Sequence, residues 1–239
     1  NQEVRVHERY SQTPFDFALS NRKKKLLEFL VDKGAHINKT ALINVCMSKN
    51  SDPELVKWLI KQGADVNART HLTTLQAAIY SKNEEIAFLL IENGFKLTPD
   101  GTTLRKVASE GMYKLADYLI AHGFGVNYCE PDMVYPYNAA PLQVAASKGH
   151  LALVKRFIEL GADLSYKVKY GERAYHYALR NKQKAVAEYI KSVEPAEWHD
   201  EEERLRALKV YKLPEGLIAL LRATDRRIPL PECEYTSFV

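Results

Sequence analysis

Between residues 13 and 193 the apolar side chains fall into paired clusters, and nearly every pair closes on a glycine. The stretch PLQVAASKGHLALVKRFIELGAD (141–163) shows the unit most clearly. A run rich in small residues, Leu142-Gln143-Val144-Ala145-Ala146, predicts a short first helix that lets its neighbours approach closely. The turn Lys148-Gly149-His150 follows. Leu153, Val154, Phe157 and Ile158 then recur at three- and four-residue spacing, which predicts a second, amphipathic helix. Gly161 is placed to stop that helix in the left-handed conformation.

The unit recurs. Gly34, Gly63, Gly94, Gly123 and Gly161 each follow an apolar helix pattern. The openings recur as well: Thr13-Pro14-Phe15, Thr40-Ala41-Leu42, Thr74-Leu75, Thr103-Leu104, Pro141-Leu142 and Ala174-Tyr175. Their apolar anchors, Phe15, Leu42, Leu75, Leu104, Leu142 and Tyr175, are spaced by 27, 33, 29, 38 and 33 residues. Proline in a first turn suits a helix start, because its missing N–H would have had no partner there. Unit two has a longer internal turn, in which Asp52-Pro53-Glu54 supplies a cap, a first-turn proline and an acid favoured by the helix dipole. Unit six lacks the closing glycine and carries Lys182, Gln183, Lys184 and Lys191, as a polar capping repeat should.

Six copies at this spacing resemble the ankyrin repeat, a helix pair followed by a projecting β-turn finger, about 33 residues long. The likeness covers roughly residues 10–193. It implies an all-α solenoid of six helix-turn-helix repeats over 13–193, with 1–12 as a lead-in and 194–239 as an acidic linker and non-repeat tail. It also implies a non-catalytic module that binds a protein through its concave face and fingers. The histidine of the family's Thr-Pro-Leu-His opening survives only as His176, and fingers one and three are short.

The register picks out candidate binding residues. The two residues after the small pair of each first helix are expected at the surface: Ser20-Asn21, Met47-Ser48, Ile79-Tyr80, Ser109-Glu110, Ser147-Lys148 and Arg180-Asn181. Ile79 and Tyr80 stand out, since an exposed Ile-Tyr pair is not needed for stacking; the alternative for Ile79 is a place under a neighbouring finger. Lys148 belongs to the same set. The fourth finger, VNYCEPDMVYPYNA (126–139), makes its unit five residues longer than 33. It brings Tyr128, Met133, Tyr135 and Tyr137, stiffened by Pro131 and Pro136. Tyrosine and methionine are enriched in interface cores. These side chains either anchor a partner or fold back over the stack. A second series, Phe29, Trp58, Phe88, Tyr118, Arg156 and Tyr189, marks one position on each second helix. Packing between repeats accounts for it, with the Arg156 guanidinium expected against Tyr118 or Tyr189.

Composition narrows the chemistry. Net charge is +4, from 34 basic and 30 acidic residues. That excess gives no case for nucleic acid, and the run Arg22-Lys23-Lys24-Lys25 reads as a solvated helix start. No stretch of 18 apolar residues occurs and no signal peptide is visible, so a cytoplasmic monomer without a membrane partner is expected. Cys46, Cys129 and Cys233 are far apart and odd in number, which gives neither a disulfide framework nor a zinc spacing. The seven histidines do not cluster at metal-ligand spacing. His150 is expected to make a structural hydrogen bond, and His122 to act as a charge at a helix end. GxSxG, GxxxxGK[ST], HExxH and GxGxxG are absent, so no enzyme, cofactor or metal is expected.

After Pro195 the pattern changes. An acidic stretch leads into ALKVYKLPEGLIALLRATDRRIPLPECEYTSFV (207–239), with a short helix over Leu217–Leu221 and a strand-like Ile228-Pro229-Leu230-Pro231. This tail resembles the opening of the SUKH superfamily, which includes bacterial immunity proteins, and that would imply a toxin-neutralising or inhibitor role. It also resembles F-box-like or SOCS-box-like tails, which would imply an adaptor recruiting a ubiquitin ligase. A helical cap with a docked tail is the third reading.

Overall fold

The structure is a computed structural model, and it describes residues 13–49, 51–200, 214–222, 228–229 and 237–238. The chain divides into two compact units, Asn1–Ile190 and Lys191–Val239.

The first unit is built from helix pairs in sequence order: α1 (Pro14–Ser20) and α2 (Lys24–Asp32), α3 (Ala41–Met47) and α4 (Pro53–Lys61), α5 (Thr74–Tyr80) and α6 (Glu84–Glu92), α7 (Gly101–Glu110) and α8 (Tyr113–Ala121), α9 (Pro141–Lys148) and α10 (Leu151–Glu159), and α11 (Ala174–Arg180) with α12 (Lys184–Val193). The odd-numbered helices form an inner row, each packed on the next. Helices α4, α6, α8 and α10 form an outer row. Ala18, Ala41, Ala77, Ala78, Ala108, Ala145, Ala146, Ala174 and Ala178 are completely buried in the inner row. Their methyl groups leave room for close backbones, while Leu27, Leu59, Leu90, Leu119, Phe157 and Ile190, one on the second helix of each pair, seal the core from the other side.

The helix ends follow the sequence closely. Thr13 and Thr73 cap α1 and α5 in reciprocal capping boxes with Asp16 and Gln76. Asp52 caps α4, accepting from the Glu54 amide at 2.9 Å, with Pro53 in the first turn. Gly34, Gly63, Gly94, Gly123 and Gly161 all have φ between +85° and +91°. Each closes an outer helix with the paired bonds of the Schellman motif; Gly161 N donates to Ile158 O at 3.0 Å and Ala162 N to Phe157 O at 2.8 Å. The inner helices end in the same left-handed turn, made by Arg22, Lys82, Gly111, Gly149 and Lys182. Unit two departs from this, as its longer turn requires. Ser48 is extended there, and the Ser51 hydroxyl donates to the Val45 carbonyl at 2.5 Å.

Two asparagines tie consecutive repeats together. Asn127 Nδ2 donates to Gly161 O at 3.0 Å while its Oδ1 accepts from Asp163 N at 2.8 Å. Asn67 does the same with Gly94 O and Lys96 N, at 3.0 and 2.8 Å. One side chain thus satisfies a helix-end carbonyl and a finger amide of the following unit. Asn127→Ala is expected to lower stability by about 1–2 kcal/mol, the worth of two such bonds. An unchanged urea midpoint would show that the tie contributes nothing.

The second unit contains a 3-10 turn over Ala196–His199, in which the His199 imidazole and Glu194 carboxylate lie 2.8 Å apart. It also contains α13 (Glu215–Arg222) and a two-residue antiparallel pair, β1 (Ile228–Pro229) with β2 (Ser237–Phe238). The helix and β1 fall where the sequence places them. Most of the segment compared with SUKH, F-box and SOCS-box openings, together with Cys233, lies outside the described residues.

Candidate protein-binding site

The long fourth finger is organised by a residue on the first helix of its own repeat. Arg105 of α7 has 0% relative exposure. Its Nε donates to Gly101 O at 2.8 Å, and one terminal nitrogen donates to Glu130 O and Ala139 O at 2.9 and 3.3 Å. The other terminal nitrogen meets Asp132 Oδ2 at 2.6 Å. Two of the finger's three phenol rings stack on the same guanidinium, Tyr128 at 5.1 Å and Tyr135 at 4.7 Å. Gly101 is what admits Tyr128, since a Cβ at that position would overlap the ring.

Asp132 completes the clamp. Its Oδ1 accepts from the amides of Val134 and Tyr135 at 2.7 and 2.6 Å, and its Oδ2 also accepts from the Thr102 hydroxyl at 2.8 Å. Burial works against the Asp132 carboxylate. The Tyr135 amide, the Thr102 hydroxyl, the Val134 amide and Arg105 together outweigh it, and its pKa lies below the usual value. Burial pushes the Tyr135 phenol up to about 12, against the pull of Arg105. At the finger's far end Asn138 adopts φ +64°, and its carbonyl accepts from Tyr166 Oη at 2.8 Å.

The finger tyrosines therefore divide into two sets. Tyr135 is half-buried against Arg105, and Tyr128 lies on Gly101 and Arg105 while keeping 39% exposure. Met133 is 99% exposed and Tyr137 48%, with Val134 exposed beside them. Tyr137 meets Tyr170 of the fifth finger at 5.3 Å between ring centres. On the inner row Tyr80 is 43% exposed, with Lys106 Nζ 4.4 Å above its ring, and Lys148 is exposed. Glu110 beside them is held by Lys82 at 2.9 Å. Further along, Arg180 grips both Glu172 oxygens at 2.9 and 2.7 Å and lies 4.6 Å from the Tyr177 ring. The short third finger leaves a cleft of about 220 Å³, lined among others by Arg69, Phe95, Lys96, Leu97, Asp100 and Phe124.

Two expectations are corrected. Ile79 is 1% exposed and belongs to the core, so it offers nothing to a partner. It stands four residues after Leu75 and shares that residue's buried helix face. Arg156 does not lie on an aromatic ring. Its Nε meets Asp117 at 2.7 Å and a terminal nitrogen meets Glu159 at 3.2 Å. Lys155 reaches Tyr189 instead, at 5.0 Å. The outer column is a packing feature where aromatics adjoin, as in the edge-on Phe88–Tyr118 pair at 5.6 Å. Tyr118 also stacks on His122 at 4.0 Å. His150 makes the expected structural bond, its Nε2 lying 3.0 Å from Ser109 O.

Arg105, Asp132, Lys106 and Tyr170 were not singled out by the sequence pattern. A signal for Arg105 existed. It occupies the register position of Asp16, Gln76 and His176, the residues that reach back to their own helix starts. An arginine there cannot accept a hydrogen bond, and it stands in the repeat that carries the longest finger.

Among the described residues no group of His, Cys, Asp or Glu is arranged to hold a metal, and no helix is long and apolar enough to cross a membrane. Burial pushes the Cys46 thiol up to about 12, which keeps it protonated.

A family model for ankyrin repeats, three copies long, matches the chain over residues 15–101, 42–130 and 104–197. The chain belongs to the ankyrin-repeat family. Ankyrin repeats are in general non-catalytic modules of protein–protein interaction. An ankyrin repeat protein of Rickettsia felis is 38% identical over 87 residues, 36% of this chain and 34% of that protein. An ankyrin repeat protein of fowlpox virus is 28% identical over 144 residues, 56% of this chain and 31% of that protein. The chain spans about a third of the length of these curated relatives.

Proposed function

We propose that the chain captures a partner protein on its fourth finger and on the inner-row turns of units three to six, without catalysis, and that it acts there as an inhibitor or toxin-neutralising protein. One observation carries the binding reading. The finger is fixed from below by a buried arginine, yet it presents Met133, Val134 and Tyr137 to solvent. Apolar side chains held outward on a stiff support lose little conformational freedom on binding, and that raises affinity. Ordinary stacking of repeats has no use for them.

A second reading is an adaptor that recruits a ubiquitin-ligase subunit or another second protein through its C-terminal tail. The separate compact unit from Lys191 onward favours it. Pull-down with the full chain followed by mass spectrometry separates the two. One stoichiometric secreted toxin supports neutralisation, and ligase subunits lost on deletion of 194–239 support the adaptor.

With the partner in hand, Tyr137→Ala is expected to weaken binding by roughly 2 kcal/mol, as truncating an interface anchor does, and to leave the melting temperature unchanged. Tyr135→Ala is expected to lower the melting temperature, because that ring stacks on Arg105. Unchanged affinity in Tyr137→Ala would place the contact elsewhere.

A further inference from the structure

We infer that the segment held on this face is acidic as well as apolar. The inference rests on the binding reading above and adds the partner's chemistry. The carboxylates around the face are mostly consumed internally. Glu110 is tied to Lys82, Asp132 to Arg105 and Glu172 to Arg180.

The lysines of the same region are not neutralised. Lys106, Lys148, Lys167 and Lys169 form no ion pair among the described residues. Lys106 rests over the Tyr80 ring, which leaves its charge available. In the fifth finger Tyr166 and Val168 turn inward while Lys167, Lys169 and Tyr170 are exposed. The two lysines therefore project on one side, beside the Tyr137–Tyr170 pair. Glu130 of the fourth finger is exposed and forms no ion pair among the described residues. Among the described residues, four ammonium groups without an ion pair outnumber the two exposed finger carboxylates without one, Glu130 and Asp163, and around Met133, Val134, Tyr137 and Tyr170 they fit an extended peptide carrying Asp or Glu about a large apolar residue. A basic segment would meet uncompensated like charge, which suppresses wrong partners. Nucleic acid fits less well: Met133 and Val134 give a phosphate backbone nothing, and four cations are fewer than the roughly 6–10 phosphate contacts of a typical binder.

The test pans a phage-displayed random dodecapeptide library on the full chain and titrates the most enriched peptide, fluorescein-labelled, by polarisation. The expected peptide carries net negative charge and an aromatic or long aliphatic residue. Its affinity falls with added salt, falls at least about tenfold on Lys106→Glu with Lys167→Glu and Lys169→Glu, and is reduced by Tyr137→Ser. The lysine-to-glutamine triple variant, which adds no new charge, should weaken it less. Circular dichroism reports the fold of each variant, and the glutamine set decides the result if the glutamate set misfolds. Enrichment of neutral or basic peptides that still depend on Tyr137 overturns the acidic class and leaves the binding face intact. No enrichment, or capture indifferent to every variant, overturns both. Tighter binding of a mixed-sequence single-stranded oligonucleotide than of any peptide overturns the choice of protein.

Discussion

Arg105→Ala is expected to destabilise the protein by about 3 kcal/mol, the low end of the cost of breaking a buried ion pair, because Arg105 is buried while Asp132 keeps a quarter of its side chain exposed. The loss has identifiable parts. Three carbonyls, Gly101, Glu130 and Ala139, lose a donor, and Asp132 keeps its charge without its cation. Tyr128 and Tyr135 lose the plane on which they stack. Arg105→Lys should recover only part of the loss, since an ammonium cannot reproduce a fork that reaches several acceptors in one plane. Urea unfolding measures the total. Hydrogen exchange at the Val134 and Tyr135 amides should rise sharply, because Asp132 holds both. A variant as stable as the parent with those amides still protected would mean that the finger is held by something else.

The same clamp sets a pH dependence. The folded pKa of Asp132 lies below its ordinary value of 3.8, so its contribution is fully present above that value. It is lost as pH falls through the lower, folded value. Protection of the Val134 and Tyr135 amides should therefore persist at mildly acidic pH and fail only below the ordinary carboxylate range.

The helix pairs were legible because two signals coincide at fixed spacing. Apolar positions recur on one helical face, and a glycine such as Gly123 or Gly161 stands where only a left-handed residue can close the Schellman turn. The finger's support was not legible, because it depends on contacts across some 27 residues. No local pattern says that Arg105 reaches beyond its own helix start to Asp132. Tyr128 and Tyr135 look like Tyr137 in the sequence, and only the position of that guanidinium separates the two rings that lie on it from the one that does not. Ile79 was misplaced by treating two adjacent helix positions as equivalent, although successive residues differ by about 100° around the axis. Arg156 was misplaced for an energetic reason. A charge-assisted hydrogen bond to Asp117 at 2.7 Å is stronger than a cation–ring contact, and it draws the guanidinium away from the aromatic column.

Gly111→Ala is expected to cost about 3 kcal/mol, well above the same change at Gly161. Both glycines are left-handed, with φ of +77° and +85°. Each alanine would bear the backbone penalty of that conformation, about 1–2 kcal/mol. Around Gly161 a Cβ meets nothing within 4 Å, so the penalty ends there. At Gly111 the new Cβ would stand 2.7 Å from Cε1 and 2.9 Å from Nδ1 of His150. That imidazole is not free to yield, since its Nε2 is bonded to Ser109 O in the preceding repeat. Moving it gives up the bond and disturbs the stacking of units four and five, adding about 1 kcal/mol or more. The two substitutions together separate backbone strain from the inter-repeat contact, with unfolding free energies in urea as the measure. In a His150→Ala background the loss at Gly111 should fall to the Gly161 level, because neighbours in contact are not additive. Equal losses at the two glycines in the parent protein would show that His150 gives way at no cost and that the turn is limited by its backbone alone.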